Sequence, residues 1–218
     1  MIQKILFICP LFPPIGGIGV NRSLNLVIRL KDKGYTPIVA TLSKSDITNF
    51  AMSTDLELER TVEHIDIRRI NSNYPFRLVR FLQRLRIFRF VRFLLFPLFW
   101  EQHIFWSRNA YNELLKIIDE EKISLIYTTS APFSTLLLGR KLKVATGLPW
   151  VADLRDPYTD AYAHSFPSKL HWKLSQIVEK KILKQPDILV VTNKALKELY
   201  LRKEIRQEDN IAVVYNGF

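Results

Sequence analysis

Cysteine occurs once in this chain, at position 9, so no disulfide can form within it. A chain without a disulfide framework fits a reducing cytoplasm. The lone thiol follows the apolar run Ile5, Leu6, Phe7, Ile8, where a buried and inert side chain is expected. Long hydrophobic runs are missing as well. The most apolar stretch, Phe93 to Trp100, is interrupted by Pro97 and closely preceded by Arg89 and Arg92. It falls short of the ~20 apolar residues that a spanning helix needs. The N-terminus leads into a short apolar run that ends at Pro10 and Pro13 without a small-residue cleavage site, which reads as a first strand and not as a signal peptide.

Internal repeats and low-complexity tracts are absent. So is the spaced G-x-G-x-x-G of dinucleotide-binding folds with its acidic ribose partner, and so is the Lys-Ser/Thr of a P-loop, which argues against a nucleotide-dependent dehydrogenase. Helix-turn-helix, zinc and RRM signatures are lacking too, so nucleic acid is not expected as a partner. Nothing calls for a metal or a cofactor.

What is present is enough for one large domain: 218 residues, 48% hydrophobic and 24% charged, near the globular average. The formal charge of +11, from 32 Lys and Arg against 21 Asp and Glu, favours an anionic partner. Lys4 to Cys9 reads as a strand buried on both faces. Asn21 to Lys33 reads as a helix, with Leu24, Val27, Ile28 and Leu30 at helical spacing and Gly34 as its stop;. Tyr35 to Leu42 is a second strand, which completes a right-handed parallel βαβ unit. Further strands are predicted at Glu63–Ile70, Ile123–Thr129, Pro149–Asp153, Asp187–Thr192 and Ile211–Tyr215. Helices are predicted at 98–121, 133–146, 168–184 and 194–203. This alternation predicts an α/β fold with a doubly wound, mainly parallel sheet over residues 1–215. The turn signal Asn216, Gly217, Phe218 marks an expected boundary, with 216–218 as the start of a linker.

The one compositional anomaly is the segment 77–106, an inserted basic amphipathic excursion. At ~100° per residue, Arg77, Arg80 and Arg84 share one helical face while Leu78, Phe81, Leu82 and Leu85 occupy the other. The same count groups Arg86, Arg89 and Arg92 against Ile87, Phe88, Val91, Leu94 and Leu95, with the apolar face turned by about half a circle. A break near Leu85 is therefore predicted, giving two short helices. Arginines flanking Phe, Leu and Trp are what an in-plane interfacial helix needs, so the segment is expected to rest on an anionic membrane surface. The competing reading packs these helices on the sheet with snorkelling arginines.

Three loops could carry chemistry. Gly16, Gly17 and Gly19 lie between a strand and a helix, where backbone N–H groups and the helix dipole can hold a phosphate; Asn21 and Arg22 would face the same mouth. A tight turn that merely packs is the alternative. The cluster Thr128 to Ser134 sits at a strand's carboxyl end, where open α/β sheets bind ligands; Ser130 is also a plausible helix N-cap, with Pro132 in the first turn. The densest group is Asp153, Arg155, Asp156 and Asp160, within eight residues. It can bind substrate hydroxyls, orient a nucleophile, or close on itself as an ion pair. If the group is a surface site, Asn at 153 or 156 would cut turnover with little effect on melting.

Taken in order, P-P-x-x-G-G-x-G with its helix and K-G-Y-T-P-I-V, then S-A-P-F-S-T at 130–135, V-A-D-L-R-D-P at 151–157, D-I-L-V-V-T-N at 187–193 and V-V-Y-N-G-F at 213–218 resemble family-four retaining glycosyltransferases of GT-B fold. The resemblance covers the chain apart from about 43–60 and the 77–106 excursion. It implies the N-terminal, acceptor-side, Rossmann-like half of such an enzyme, acting on a nucleoside diphosphate sugar and a glycan or lipid-linked acceptor. By implication Gly16 and Gly17 approach the donor diphosphate, while Ser130, Asp153, Arg155 and Asp156 contact the acceptor. Many relatives have a histidine near the position that Arg155 holds here. The family's paired glutamates and basic residues for the donor lie in a C-terminal domain, to be supplied in cis or in trans. No catalytic residue is assigned. The alternative is a non-catalytic binding module or truncated remnant that needs a separate donor-binding partner.

Overall fold

The computed structural model describes residues 3–95, 101–161 and 166–216, without the side chains of Ile18, Arg89, Arg92 and Leu95. Residues 98–100 of the predicted helix, the roles given to the Arg89 and Arg92 side chains, and Gly217 and Phe218 therefore fall outside the described part.

Seven parallel strands form one sheet: β1 (Lys4–Ile8), β2 (Thr36–Leu42), β3 (Asp66–Ile70), β4 (Leu125–Ser130), β5 (Trp150–Leu154), β6 (Ile188–Val191) and β7 (Ile211–Val213), in the order β3-β2-β1-β4-β5-β6-β7. The chain winds outward from β1 in one direction and, through β4, in the other, which makes the carboxyl ends of β1 and β4 the topological switch point. Both faces of the central strands are buried, and Leu6, Phe7 and Ile8 are fully inaccessible. That is why these strands read as unbroken apolar runs and not as alternation.

Helix α1 (Ile18–Asp32) covers one face, with Leu24 and Val27 packed against Phe7, Val39 and Tyr127. It starts three residues before the predicted Asn21, because Gly17, at φ 105°, turns the chain straight into the helix; only glycine adopts that angle at little cost. Helices α2 (Lys44–Asn49) and α3 (Leu56–Thr61) follow β2. Neither was predicted, since six residues are too few to show a period. Each has a capping signal: Ser43 accepts from the Asp46 amide, and Asp55 from the amides of Glu57 and Leu58;.

The excursion forms α4 (Phe76–Arg84) and α5 (Phe88–Leu95). The predicted break is present, with Arg86 at φ 59° between the two helices. Arg86 thus lies in the turn and does not join the arginines of α5. Helices α6 (Ile104–Glu120), α7 (Ser134–Thr146), α8 (Lys169–Leu183) and α9 (Lys194–Arg202) complete the fold. Trp106, Leu114, Leu136, Leu142, Leu183 and Tyr200 from these four helices share one hydrophobic cluster with Leu6, Ile126 and Leu189 of the sheet. Glycine at 139 lets α7 lie against the sheet, since a Cβ there would fall 2.6 Å from both Thr128 and Trp150.

Candidate functional site

The carboxyl ends of β1, β4 and β5 bring most of the sequence-predicted residues together, but in different roles. Asp153 belongs to β5 and not to a loop; its side chain is 1% exposed. Arg22 of α1 reaches across the switch point and donates from Nε and Nη2 to its two carboxylate oxygens, at 3.0 and 2.8 Å. The Thr129 hydroxyl donates to the same carboxylate at 3.2 Å. Burial works against the Arg22 charge, but the hydrogen bonds and charge of Asp153 more than offset it, so the Arg22 pKa lies above the ordinary value. The remaining nitrogen of Arg22 donates to the carbonyls of Val214 and Tyr215 and to Oδ1 of Asn216. One guanidinium thereby ties the centre of the sheet to the segment leaving β7.

Arg155 is half-buried beside this pair. Its Nη1 donates to the Gly19 carbonyl at 2.7 Å, its amide to the Ser130 hydroxyl at 3.4 Å, and its carbonyl accepts from Thr192. Asn21 and Asp156 are exposed at the same end of the sheet, and no described hydrogen bond joins them to the network.

The three glycines are not equivalent. The Gly16 amide donates to the Ser53 carbonyl at 3.0 Å, and is therefore engaged inside the protein. A Cβ at Gly16 would stand 3.3 Å from Cβ of Asp55, so glycine there lets the 53–55 segment approach. Gly17 is exposed and caps α1 with no side-chain hydrogen bond. The Val20 amide donates to the Gly17 carbonyl at 3.0 Å; the amides that precede it in the first turn of a helix have no intrahelical acceptor, and such an end attracts anions in general.

The second helix end at the mouth differs. Ser130 is buried as the last residue of β4 and does not cap α7; the N-cap position falls on Phe133. The Glu101 carboxylate takes that place, accepting from the Phe133 amide at 3.1 Å and from the Ser134 amide. An acid here is favoured by the helix dipole. Phe133 stacks on Tyr158 at 4.1 Å between ring centroids.

Sequence reasoning also missed Glu179 of α8. It is fully buried, and accepts from the amides of Tyr158 and Thr159, the Thr159 hydroxyl and the Tyr200 phenol, with Lys203 at 3.6 Å. Burial first, and then the Glu179 charge, hold the Tyr200 phenol well above its ordinary pKa. Glu179 therefore fixes the loop that presents Asp156. Its sequence signal is helical phase, since it shares the inner face of α8 with His171, Ser175 and Ile182;.

Residues 15–218 match the model of Glycosyltransferase Family 4. The chain belongs to this family. Among solved structures, a glycosyltransferase from Rickettsia africae ESF-5 is similar with a TM-score of 0.55 at 17% identity, covering 99% of this chain and 43% of that one. Sucrose-phosphate synthase from Thermosynechococcus elongatus gives 0.54 at 16%, covering 99% and 90%. Medicago truncatula UGT71G1 in complex with UDP-glucose gives 0.50 at 11%, covering 99% and 51%. At such identities the likeness shows the fold, the Rossmann-like domain of GT-B glycosyltransferases. The chain spans less than half the length of the Rickettsia protein. No curated protein matches it in sequence.

The excursion stands out from the rest of the molecule. No residue of α4 is buried, and Leu78, Phe81, Leu85, Phe90 and Leu94 are exposed, each by half or more of its surface. Arg77, Arg80, Arg84 and Arg86 are exposed too. Between Asp66 and Glu101 the sequence holds eight arginines and no acidic residue. Among the described residues no helix is long and apolar enough to cross a membrane.

Proposed function

We propose that this chain is the acceptor-side half of a retaining family-four glycosyltransferase that works on the cytoplasmic face of a membrane. It moves a sugar from a nucleoside diphosphate sugar to a lipid-linked or cell-surface polysaccharide acceptor. A C-terminal GT-B half, in cis or in trans, supplies most of the donor site, and the chain by itself transfers no sugar. Gly17 and Gly19, at the open end of α1, lie toward the donor phosphates. Arg155, Asp156 and Asn21 face the acceptor, while Arg22, Asp153 and Ser130 hold those groups in place.

The observation that carries this reading is the uncovered apolar face of α4 and α5, rimmed by arginine. A soluble monomer rarely leaves such a patch open, and the sign of its charge fits anionic headgroups, each basic contact contributing about 1 kcal/mol. The face adjoins the start of α8: in the Nε2-protonated tautomer, His171 donates to the Phe93 carbonyl of α5 at 3.3 Å.

Co-sedimentation tests the membrane part. The chain should bind vesicles containing phosphatidylglycerol, bind less as salt rises, and lose binding when Arg80 and Arg84 become Glu. Equal binding to pure phosphatidylcholine, or none to either, overturns it. Calorimetric titration tests the donor part, since micromolar binding of UDP or GDP sugars by this chain alone would contradict a donor site built mainly by a second half.

A further inference from the structure

Exposed apolar side chains are not confined to α4 and α5. On α8, Leu170, Leu174 and Ile177 recur at i, i+4 and i+7, and so share one stripe; Leu170 is 65% and Ile177 64% exposed. The inner face of the same helix already carries its core contacts through His171, Ser175, Glu179, Ile182 and Leu183. A helix laid on a sheet needs one apolar face, and among the described residues the outer stripe stays exposed. Its surroundings are basic. Lys169, Lys173, Lys180 and Lys181 are all exposed, and the one acid of α8, Glu179, is buried on the other side.

The stripe also continues the excursion. The Phe93 ring of α5 meets the His171 ring edge-on at 4.7 Å, beside the hydrogen bond between the same two residues. In the first turn of α8, Trp172 Nε1 donates to the Thr159 carbonyl at 3.1 Å.

We infer that α8 is the second leg of the lipid-facing surface. The Leu170–Leu174–Ile177 stripe enters the acyl boundary of an anionic bilayer, and Lys173 and Lys181 meet its headgroups. A neutral protein partner would gain nothing from Lys169, Lys173 and Lys180 along one edge of the stripe and Lys181 in line beyond its end, whereas an anionic interface satisfies apolar and basic groups together. Two legs joined at Phe93 and His171 fix the tilt of the domain as well as its attachment. They hold the Asp156–Asp160 loop, through Trp172, at the level of the lipid headgroups. The acceptor class that fits is one whose reacting end emerges from the bilayer plane.

This inference rests on the membrane reading above, and the experiment separates the two. Cys9 is buried, so a cysteine introduced at Ile177, Leu78 or Val144 takes an environment-sensitive fluorophore selectively. With phosphatidylglycerol vesicles, labels at Ile177→Cys and Leu78→Cys should shift to the blue, while Val144→Cys, near the far end of α7, stays unchanged. Lys173→Glu with Lys181→Glu should lower the partition coefficient by more than about thirtyfold, the factor that loss of two basic contacts near anionic headgroups carries before the added repulsion. A shift at Leu78→Cys alone, with those Glu variants still binding, overturns the α8 leg and leaves the membrane reading standing. No shift at either position overturns both. A shift at Ile177→Cys that needs only high protein concentration marks the stripe as a contact between chains and also overturns the inference.

Discussion

Arg22 and Asp153, 131 residues apart in sequence, meet through paired hydrogen bonds of 2.8 and 3.0 Å with both side chains more than nine-tenths buried. The sequence showed two similar acids in D-L-R-D, and the structure separates them. Asp153 holds the switch point together, whereas Asp156 is exposed to solvent. Asp153→Asn should leave a buried guanidinium without its counter-charge, costing about 3 kcal/mol and lowering the melting temperature by roughly 10 °C. Asp156→Asn should change stability by no more than about 0.5 kcal/mol. Thermal melts of the two variants side by side check this; equal melting points would show that the pair contributes nothing.

Glu179 is a second buried acid with a positional task. Glu179→Ala strips one carboxylate from two amides, two hydroxyls and a lysine, and is expected to cost about 3 to 5 kcal/mol. Tyr200→Phe removes a single bond to that charge and should cost about 2 kcal/mol. Chemical denaturation gives both values, and Tyr200→Phe costing as much as Glu179→Ala would mean that the phenol, and not the loop, is what Glu179 serves.

His103 sits 9% exposed among Phe50 and its aromatic neighbours, with Nδ1 buried and unpartnered. Burial lowers its pKa to about 4, against the partial support of the Asp46 charge. The unfolded chain, with an ordinary histidine near 6.5, therefore binds the proton first as pH falls. Stability should decline from about pH 6.5 down to about pH 4 and then level off for this group, a total of about 3 kcal/mol. His103→Phe should flatten that part of a stability profile, and an unchanged slope would assign the acid sensitivity elsewhere.

The Cys9 thiol lies at 2% exposure, and burial raises its pKa to about 11. Disulfide-exchange reagents at pH 8 should leave it unmodified in the folded protein and react fully in denaturant. Rapid reaction of the native chain would mean that β1 opens far more often than a central strand should.

The sheet was legible because a buried parallel strand leaves an unmistakable run of apolar residues, and Lys4–Cys9 and Tyr35–Leu42 are such runs. The break at Leu85 was legible from the half-turn between two apolar faces. Side-chain partnerships between distant segments were not. Nothing near Asp153 announces Arg22, and the Glu-Lys-Lys of α8 looks like a solvated face until Glu179 is placed in phase with Ser175 and Ile182. Ser130 has the composition of a cap, but β4 extends one residue further than predicted and takes it into the sheet.

Glu101 gives the mouth of this domain a left and a right. Two helix ends meet near the switch point, and by dipole alone an arriving anion would find both attractive. The end at Phe133 and Ser134 already holds a carboxylate delivered by the chain itself, a tethered competitor whose effective concentration is in the millimolar range or higher. A free phosphate must displace it there, but among the described residues no side chain caps α1 beside Gly17. The two helix ends are therefore unequal for a ligand of the proposed kind: an anion would be drawn to the α1 side, and the α7 side would be left to neutral groups.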